Sequence, residues 1–276
     1  MTGASSTLMI VHAHPDDEAT QTGGILAKYS AEGVRTVLVT CTNGELGDGP
    51  GGVKPEDDEH DEAAVVAMRK RELEESCRIL GVKHLEMLGF HDSGMQGWST
   101  NEAAGAFANL AVEEAARPLA ALMRRYEPDV VVTYDAFGFY GHPDHIQAHG
   151  ITLAALDMVG STARLWFNAI RRSSLAPFRE RMKRLGIDPP DVDEERFGAP
   201  DDQIAATIDC REYGRAKLQA VRAHASQSEN LFFLRFSDEE FINTFAIEEF
   251  VLGRGSAEWD IPADDLFVGL RSRVAT

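Results

Sequence analysis

Two short motifs of matching composition carry the residues best suited to chemistry. His14-Pro15-Asp16-Asp17-Glu18 directly follows an apolar run, and His142-Pro143-Asp144-His145 follows a second apolar run after a short loop. Neutral imidazoles and a carboxylate are the ligands that hydrolytic zinc sites and some iron sites take from a protein. Two imidazoles and one carboxylate would leave a metal position for water. The two motifs therefore predict an open, hydrolytic metal site.

Each motif alone also fits a simpler interpretation, the start of a helix. Proline favours the first helical position, and acidic residues favour the first turn. This accounts for residues 15–18 but not for His14, because imidazole is not a preferred capping group. The recurrence of the motif after a second strand is what favours metal binding.

The expected chemistry follows from the residue types. A metal held in this way lowers the pKa of a bound water to about 7. A carboxylate that is not a ligand can accept the proton of that water. A further histidine can stabilise the oxyanion or protonate the leaving group. We therefore expect hydrolysis at a carbonyl carbon.

The two motifs together resemble the paired signatures of the LmbE-like, or PIG-L-like, zinc N-deacetylases. Residues 140–149 and 92–95 are similar to the same family. The similarity is greatest to its mycothiol-pathway members, the N-acetylglucosaminyl-inositol deacetylase and the mycothiol S-conjugate amidase. The resemblance extends over about residues 7–227.

This resemblance implies a role for each matched residue. The implied metal ligands are His14, Asp17 and His145. The implied catalytic residues are Asp16 as general base, His142 as oxyanion stabiliser or acid, Asp144 as the orienting partner of His142, and Tyr140, which closes over the reacting carbonyl. The implied substrate-binding residues are Arg69, Glu45 and Asp92. Arg69 also fits a surface ion pair with Glu72, and Tyr140 also fits a packed loop aromatic.

The motifs need strands that end at a common edge. Apolar runs at residues 7–12, 35–42, 84–88 and 130–134 predict strands, and helical patterns at 18–30, 63–80, 103–126 and 146–159 alternate with them. This alternation predicts an α/β protein with a Rossmann-like three-layer fold and a mostly parallel sheet. Ligands of such sheets bind at the carboxyl ends of the strands. Both motifs and two long loops, 43–62 and 89–101, lie there.

The C-terminal third is less regular. Strand patterns occur at 164–170 and 203–208, helical patterns at 177–185 and 211–224, an acidic surface loop at 188–202, and an irregular tail from 256. No linker or repeat divides the chain. We expect a single metal-dependent deacetylase domain over residues 1–276, with a core at 7–160 and a part at 161–276 that contributes to the substrate pocket.

The charge balance excludes some partners. Among 276 residues, 45 acidic residues outnumber 27 basic ones, for a net charge of -18. Nucleic acids and anionic membranes attract clustered lysine and arginine, so we expect neither as a partner. The sequence shows no signal-peptide pattern and no apolar run of about 18 residues. We expect a cytoplasmic protein, and homo-oligomer formation stays open.

A glycine-rich stretch, residues 47–52, matches the GxGxxG spacing of dinucleotide sites. Such glycines must lead directly from a strand into a helix. Here Pro50 interrupts them and an acidic run follows. We expect a loop at the rim of the active site instead.

The sequence therefore predicts a zinc-dependent hydrolase that removes an acetyl or other N-acyl group from a small molecule containing N-acetylglucosamine. Ferrous iron also suits these ligand types. Three alternatives stay open: a mycothiol S-conjugate amidase, a deacetylase of a glycosylated specialised metabolite, and a non-catalytic metal- or sugar-binding protein. The last would need neither Asp16 nor His142, which argues against it.

Overall fold

The computed structural model describes residues 6–189, 194–227 and 232–270. Its strands are β1 (Thr7–His12), β2 (Arg35–Thr42), β3 (His84–Phe90), β4 (Val130–Thr133), β5 (Arg164–Ala169), β6 (Ile204–Asp209) and β7 (Ile247–Arg254). They form one sheet in the order β3-β2-β1-β4-β5-β7-β6. Strands β1 to β5 are parallel, whereas β7 runs antiparallel to both β5 and β6. The predicted mostly parallel sheet is confirmed.

Helices cover both faces of the sheet. They are α1 (Asp17–Ala31), α2 (Glu62–Leu80), α3 (Val112–Tyr126), α4 (Gly138–Gly141), α5 (Pro143–Met158), α6 (Arg172–Arg184), α7 (Glu194–Phe197), α8 (Gly214–Ala223) and α9 (Asp238–Phe245). Helices α1, α2 and α8 pack together over one core, and α3 and α5 pack over the other. The predicted three-layer architecture is therefore also confirmed.

Strand β1 shows why an unbroken apolar run forms the centre of this sheet. It lies between β2 and β4, and all six of its residues are buried. Side chains alternate between the two faces of a strand, so Leu8 and Ile10 enter one core while Met9 and Val11 enter the other. A strand buried on both faces has no position for a polar alternation.

The structure shortens one predicted helix. Helix α3 begins at Val112, not at residue 103, because residues 107–109 form a short 3-10 turn before it. Pro118 lies inside α3 and does not end it. Proline removes the hydrogen bond to the carbonyl of Glu114. Both Pro118 and Glu114 are exposed, so water can solvate that carbonyl.

Most differences lie in the C-terminal third. The sequence patterns did not predict α9 or β7, and α6 begins five residues before the predicted start at 177. The predicted helix at 211–224 starts as a 3-10 turn, and α8 begins at Gly214. The proposed loop 188–202 contains α7, while its residues 190–193 lie outside the described residues. The described tail, 256–270, is irregular as expected.

The carboxyl ends of three parallel strands bring the chemistry together. His14 follows β1, Asp92 follows β3, and His142 lies between α4 and α5 after β4. In residues 6–189, 194–227 and 232–270, no helix has the length and apolar character needed to cross a bilayer.

Candidate active site

The first motif forms the turn between β1 and α1. Asp16 has a φ of 126°, an unusual backbone conformation for a residue other than glycine. Arg69, from α2, holds this turn, since its Nη2 donates to the carbonyl of Pro15 and, at 3.0 Å, to Oδ2 of Asp16. Non-glycine residues in such conformations persist when their surroundings fix them, and they occur often at functional sites.

The second motif caps α5. The Nδ1 atom of His142 accepts a hydrogen bond from the backbone N–H of Asp144 at 3.1 Å. Neutral His142 must therefore carry its proton on Nε2, so the ring offers a donor on its other side. Burial lowers the pKa of His142 well below its ordinary value, and the nearby His14 and His145 rings lower it further. The neutral form is thus favoured.

His145 has the features of a metal ligand. The residue is fully buried, and its Nδ1 lies 3.2 Å from the carbonyl oxygen of Gly138. Its ring stacks on Tyr134 with the centroids 4.0 Å apart. The Nε2 atom is buried and has no hydrogen-bond partner among the described residues. Since Nδ1 must donate to the carbonyl, Nε2 holds a lone pair with nothing to receive it.

A carboxylate also orients the ring of His14, through the ring nitrogen that faces away from Asp17. Its Nε2 lies 3.1 Å from Oδ2 of Asp144, and its Nδ1 lies 3.4 Å from Oδ2 of Asp17. A histidine that binds a metal commonly donates its second ring N–H to a carboxylate. Burial lowers the pKa of His14, but the carboxylates, Asp92 first, outweigh burial and raise it well above the ordinary value. The surroundings of His14 therefore favour positive charge.

Two of the three separations between the implied ligand atoms suit a divalent ion. Oδ2 of Asp17 lies 3.4 Å from Nδ1 of His14 and 3.5 Å from Nε2 of His145. Tetrahedral bonds of about 2.1 Å would separate ligand atoms by about 3.4 Å. Ring nitrogens of His14, His142 and His145 also lie within 4.8 Å of one another. These residues could therefore hold a metal ion.

Asp16 stands beside this cluster as a carboxylate with a shifted pKa. Burial raises the pKa of Asp16 to about 6, Arg69 opposes the rise, and Asp17 adds to it. A pKa closer to neutrality makes a carboxylate a better general base. The predicted base thus lies where its proton affinity is increased.

The carboxylate of Asp144 has partners that the resemblance did not imply. It contacts Nε2 of His14, and it accepts hydrogen bonds from the backbone N–H and the hydroxyl of Ser93. Only the backbone N–H of Asp144 reaches His142. The side chain therefore orients His14, and the implied orientation of His142 comes from the main chain.

The three implied substrate residues are placed differently. Asp92 lines the cavity, with Oδ1 3.6 Å from Nε2 of His14. Arg69 also lines it, but both of its Nη atoms bond to the turn and to the carbonyl of Gly44. Glu45 is buried away from the lining, where it accepts hydrogen bonds from Asn43 and from the N–H of Asp92. Glu45 therefore positions Asp92, and its implied place near the sugar stays a prediction.

Tyr140 lies at the mouth of the cavity. Its side chain is half exposed, and its ring meets that of His145 edge-on, with the centroids 5.0 Å apart. Burial raises the pKa of the Tyr140 hydroxyl above its ordinary value, so the group stays a neutral donor. The ring therefore lies against the histidine cluster, and its closure over the reacting carbonyl stays a prediction.

Two residues beyond the motifs support Asp17, one of the implied metal ligands. The hydroxyl of Tyr134 donates to Oδ2 of Asp17 at 2.7 Å, and Nε2 of Gln21 donates to Oδ1 of Asp17 at 2.7 Å. Neither residue was predicted from the sequence to belong to the site. Tyr134 ends the fourth apolar run, and Gln21 lies four residues after Asp17 on the same helical face. Those positions are the only features of the sequence that indicate a contact of Tyr134 or Gln21 with Asp17.

A cavity of about 1260 Å³ opens over these residues. One part is polar and is lined by His14, Asp16, Asp17, Asp92, Tyr140 and His142. The other part is lined by residues of the C-terminal third, among them Phe178, Phe232, Phe233 and Phe245. The glycine-rich stretch contributes Gly47 to the cavity lining. It leads into no α-helix within 47–61, so it lacks the strand–turn–helix arrangement of a dinucleotide site.

Comparison with known proteins finds relatives along nearly the whole chain. The 1D-myo-inositol 2-acetamido-2-deoxy-alpha-D-glucopyranoside deacetylase of Thermomonospora curvata is 38% identical, with 98% of this chain and 99% of that protein covered. The protein of the same name from Mycobacteroides abscessus is 40% identical, with 95% and 98% covered.

Solved structures show the same fold at lower identity. The N,N'-diacetylchitobiose deacetylase of Pyrococcus horikoshii superposes with a TM-score of 0.58 at 22% identity, covering 90% of this chain and 83% of that one. GalB of Pseudomonas putida, a 4-carboxy-2-hydroxymuconate hydratase, superposes with a TM-score of 0.63 at 16% identity, covering 93% and 99%. Since the fold carries both chemistries, the fold alone does not decide the reaction.

The family assignment comes from the sequence match. Residues 9–156, which include both His-Pro-Asp motifs, match the PIG-L family, described as GlcNAc-PI de-N-acetylase. The match covers more than half of the chain, and the relatives above extend it along nearly the whole length. The chain therefore belongs to the PIG-L family of de-N-acetylases.

Proposed function

We propose that this protein hydrolyses the acetamide, or another N-acyl amide, of a small molecule that contains an N-acylated glucosamine, with release of a carboxylate and a free amine. The observation that carries the proposal is the convergence of His14, Asp17 and His145 beside a base of raised pKa, Asp16. The names of the relatives, deacetylases of an N-acetylglucosaminyl-inositol, support the same class of substrate.

We further propose that the cation held by His14, Asp17 and His145 is zinc. The unpartnered Nε2 of His145 and the ligand separations near 3.4 Å support a small tetrahedral ion. When bound, such an ion polarises the acyl oxygen and lowers the pKa of water. Ferrous iron suits the same donors, and metal analysis of protein purified without added metal distinguishes the two.

Asp16, His142 and Tyr140 carry out the remaining steps of the reaction. Asp16 accepts a proton from the attacking water, and the carbon–oxygen bond forms as the acyl carbonyl becomes an oxyanion. Nε2–H of His142 donates a hydrogen bond to that oxyanion. The proton on Asp16 then passes to the nitrogen as the carbon–nitrogen bond breaks. Tyr140 closes the cavity over the reacting group.

Separate variants test the base and the ligands. Asp16→Asn should keep stoichiometric zinc but lose most turnover, because the amide cannot accept the proton. His14→Ala should lose zinc as well as turnover. We would measure metal content by atomic absorption and amine release from N-acetylglucosaminyl-inositol.

Three outcomes would contradict parts of the proposal. Full activity of Asp16→Asn would exclude Asp16 as the base. Stoichiometric zinc in His14→Ala would exclude His14 as a ligand. Bound metal in the unaltered protein without hydrolysis of any N-acetylated sugar would favour a binding protein.

A further inference from the structure

The part of the cavity away from the histidines has an aromatic wall. This wall consists of Phe178, Phe232, Phe233 and Phe245, and all four line the cavity. The rings come from α6, from the 3-10 turn Phe232–Arg235 and from the end of α9. None takes part in the proposed reaction.

The wall is a packed surface and not a set of isolated side chains. The Phe232 and Phe233 ring centroids lie 4.0 Å apart, and Phe245 meets Phe233 edge-on at 5.0 Å and Phe178 edge-on at 5.7 Å. Each ring is half-buried, with one side packed against the hydrophobic core. The buried side fixes the position of a face that borders the cavity.

Four charged residues of the cavity lining pair with other charges of the protein. Lys217 and Glu248 form an ion pair at 2.6 Å, and both line the cavity. Glu249 pairs with Arg171 at 2.8 Å, and Arg181 pairs with Glu240 at 3.4 Å and bonds to Thr244. These paired groups do not require a charged ligand, and the apolar face favours an uncharged one.

The size of the cavity also exceeds what one small sugar needs. Pockets for small molecules usually enclose about 300–1,000 Å³ and are mostly apolar with a few placed polar groups. Here the volume is about 1260 Å³, and the aromatic wall is continuous with the polar part that contains Asp16 and His142. A ligand whose N-acyl group lies at the histidines would reach the wall with a second part.

We propose that the substrate is an N-acylated amino sugar that carries a large, uncharged, apolar substituent, and that the aromatic wall binds this substituent. The inference rests on the proposed function and specifies its substrate class. The apolar group could be attached at the anomeric carbon or could be the N-acyl chain itself. In both cases the wall contacts an uncharged, apolar group of the substrate.

Equilibrium binding to zinc-loaded Asp16→Asn protein tests the inference. Three uncharged probes are compared by calorimetry: the methyl glycoside of N-acetylglucosamine, its 2-naphthyl glycoside, and the methyl glycoside of N-octanoylglucosamine. At least one of the two apolar probes should bind about tenfold or more tightly than the first, because apolar ligand surface leaves water. The probe that gains affinity identifies the source of the apolar group.

Variants of the wall show where the gain arises. Phe233→Ala and Phe178→Ala should reduce the ratio of dissociation constants toward one. The matched control is Leu185→Ala, since Leu185 is exposed and lies outside the cavity lining, and it should keep the ratio. A thermal melt of each variant verifies that it is folded. The comparison of probes on the unaltered wall is decisive even if a wall variant does not fold.

The experiment distinguishes a failure of the inference about the wall from a failure of the proposed function. Equal dissociation constants for the three probes would overturn the inference about the wall, whatever the unaltered enzyme hydrolyses. Preferential binding of an apolar probe supports the wall even where the unaltered, zinc-loaded protein hydrolyses none of the probes and no N-acetylglucosaminyl-inositol. That absence of hydrolysis would overturn the proposed function alone.

Discussion

At the scale of single residues, a chain of amide groups extends from Asp17. Nε2 of Gln21 donates to Oδ1 of Asp17 at 2.7 Å, and Nδ2 of Asn168 donates to Oε1 of Gln21. A carboxylate only accepts hydrogen bonds, so the direction of both bonds is fixed. Asn168 comes from β5, so the C-terminal third helps to orient an implied metal ligand.

Replacing Gln21 should therefore weaken metal binding. Outer partners of metal ligands typically contribute about 10- to 100-fold in affinity. We expect a loss of that order in Gln21→Leu, measured as the zinc dissociation constant in competition with a chelator. Gln203→Leu is the control, because Gln203 is exposed and lies outside the cavity lining. Equal affinity in the two variants would exclude the role of Gln21.

The pH dependence of kcat/KM should show how Arg69 affects the pKa of Asp16. Asp16 acts as a base only when it is ionised, so kcat/KM should fall as the pH drops through the pKa of Asp16. Burial raises that pKa to about 6, and the Arg69 guanidinium opposes the rise. Arg69→Gln removes the positive charge and should move the fall to higher pH by about one unit or more.

The control for this shift is Arg71→Gln, since Arg71 is exposed on the same helix. Its pH profile of kcat/KM should match that of the unaltered enzyme. A profile for Arg69→Gln that also matches would show that Arg69 does not set the protonation of Asp16.

Residues with a repeated motif could be predicted from the sequence, whereas their partners could not. His14, Asp17, His142 and His145 stand in two similar motifs and meet in space. Ser93 and Tyr134 hold Asp144 and Asp17 from distant parts of the chain. A serine or tyrosine has no spacing rule that would mark such contacts, which depend on how the loops fold.

At the scale of elements, α1 makes a close approach at Gly24. A Cβ atom built there would lie 2.6 Å from Cβ of Cys210 and 2.7 Å from Oε1 of Glu248. That carboxylate accepts a hydrogen bond from the Gly24 N–H at 2.7 Å. The approach therefore requires glycine, although glycine lowers helix propensity.

Gly24→Ala should destabilise the protein by about 1–3 kcal/mol, because overpacking costs more than the gain in helix propensity. Chemical denaturation measures the change in the free energy of unfolding. Gly105→Ala is the matched control, since no atom lies within 4 Å of its added Cβ. A stabilised Gly24→Ala protein would show that the contact relaxes without cost.

How closely a strand could be predicted from the sequence depended on how uniformly its residues are buried and apolar. Strands β1, β2 and β4 are almost wholly buried, so their apolar runs identified them nearly to the residue. Strand β7 contains Glu248, Glu249 and Gly253, and its buried Glu248 breaks the apolar pattern. That carboxylate is buried because Lys217 and the backbone of α1 are its partners, which the local sequence does not show.

At the scale of the whole molecule, the ion pair of Lys217 and Glu248 joins the C-terminal third of the chain to α1. Glu248 of β7 accepts hydrogen bonds from the N–H groups of Gly24 and Ile25 in α1 and pairs with Lys217 of α8. The two charged side chains are only 2% and 4% exposed. Removing one partner of a buried pair leaves an uncompensated charge.

Lys217→Met should therefore cost about 3–5 kcal/mol in the free energy of unfolding. Arg222→Met, also on α8, removes an exposed pair with Asp238, where the side chains are 50% and 64% exposed. That control should cost about 1 kcal/mol or less. Denaturant titrations of both variants test the difference, and equal losses would mean that burial of the Lys217 pair carries no special penalty.

The strand order has a consequence for the newly made chain. Strand β6 precedes β7 in sequence, yet it joins the sheet only through β7. Until residues 247–254 form β7, β6 has no partner strand and β5 keeps an open edge. Open edges attract other chains, and incomplete domains are prone to aggregation. Pairing of β7 with β5 and β6 therefore removes an aggregation-prone edge from the newly made chain.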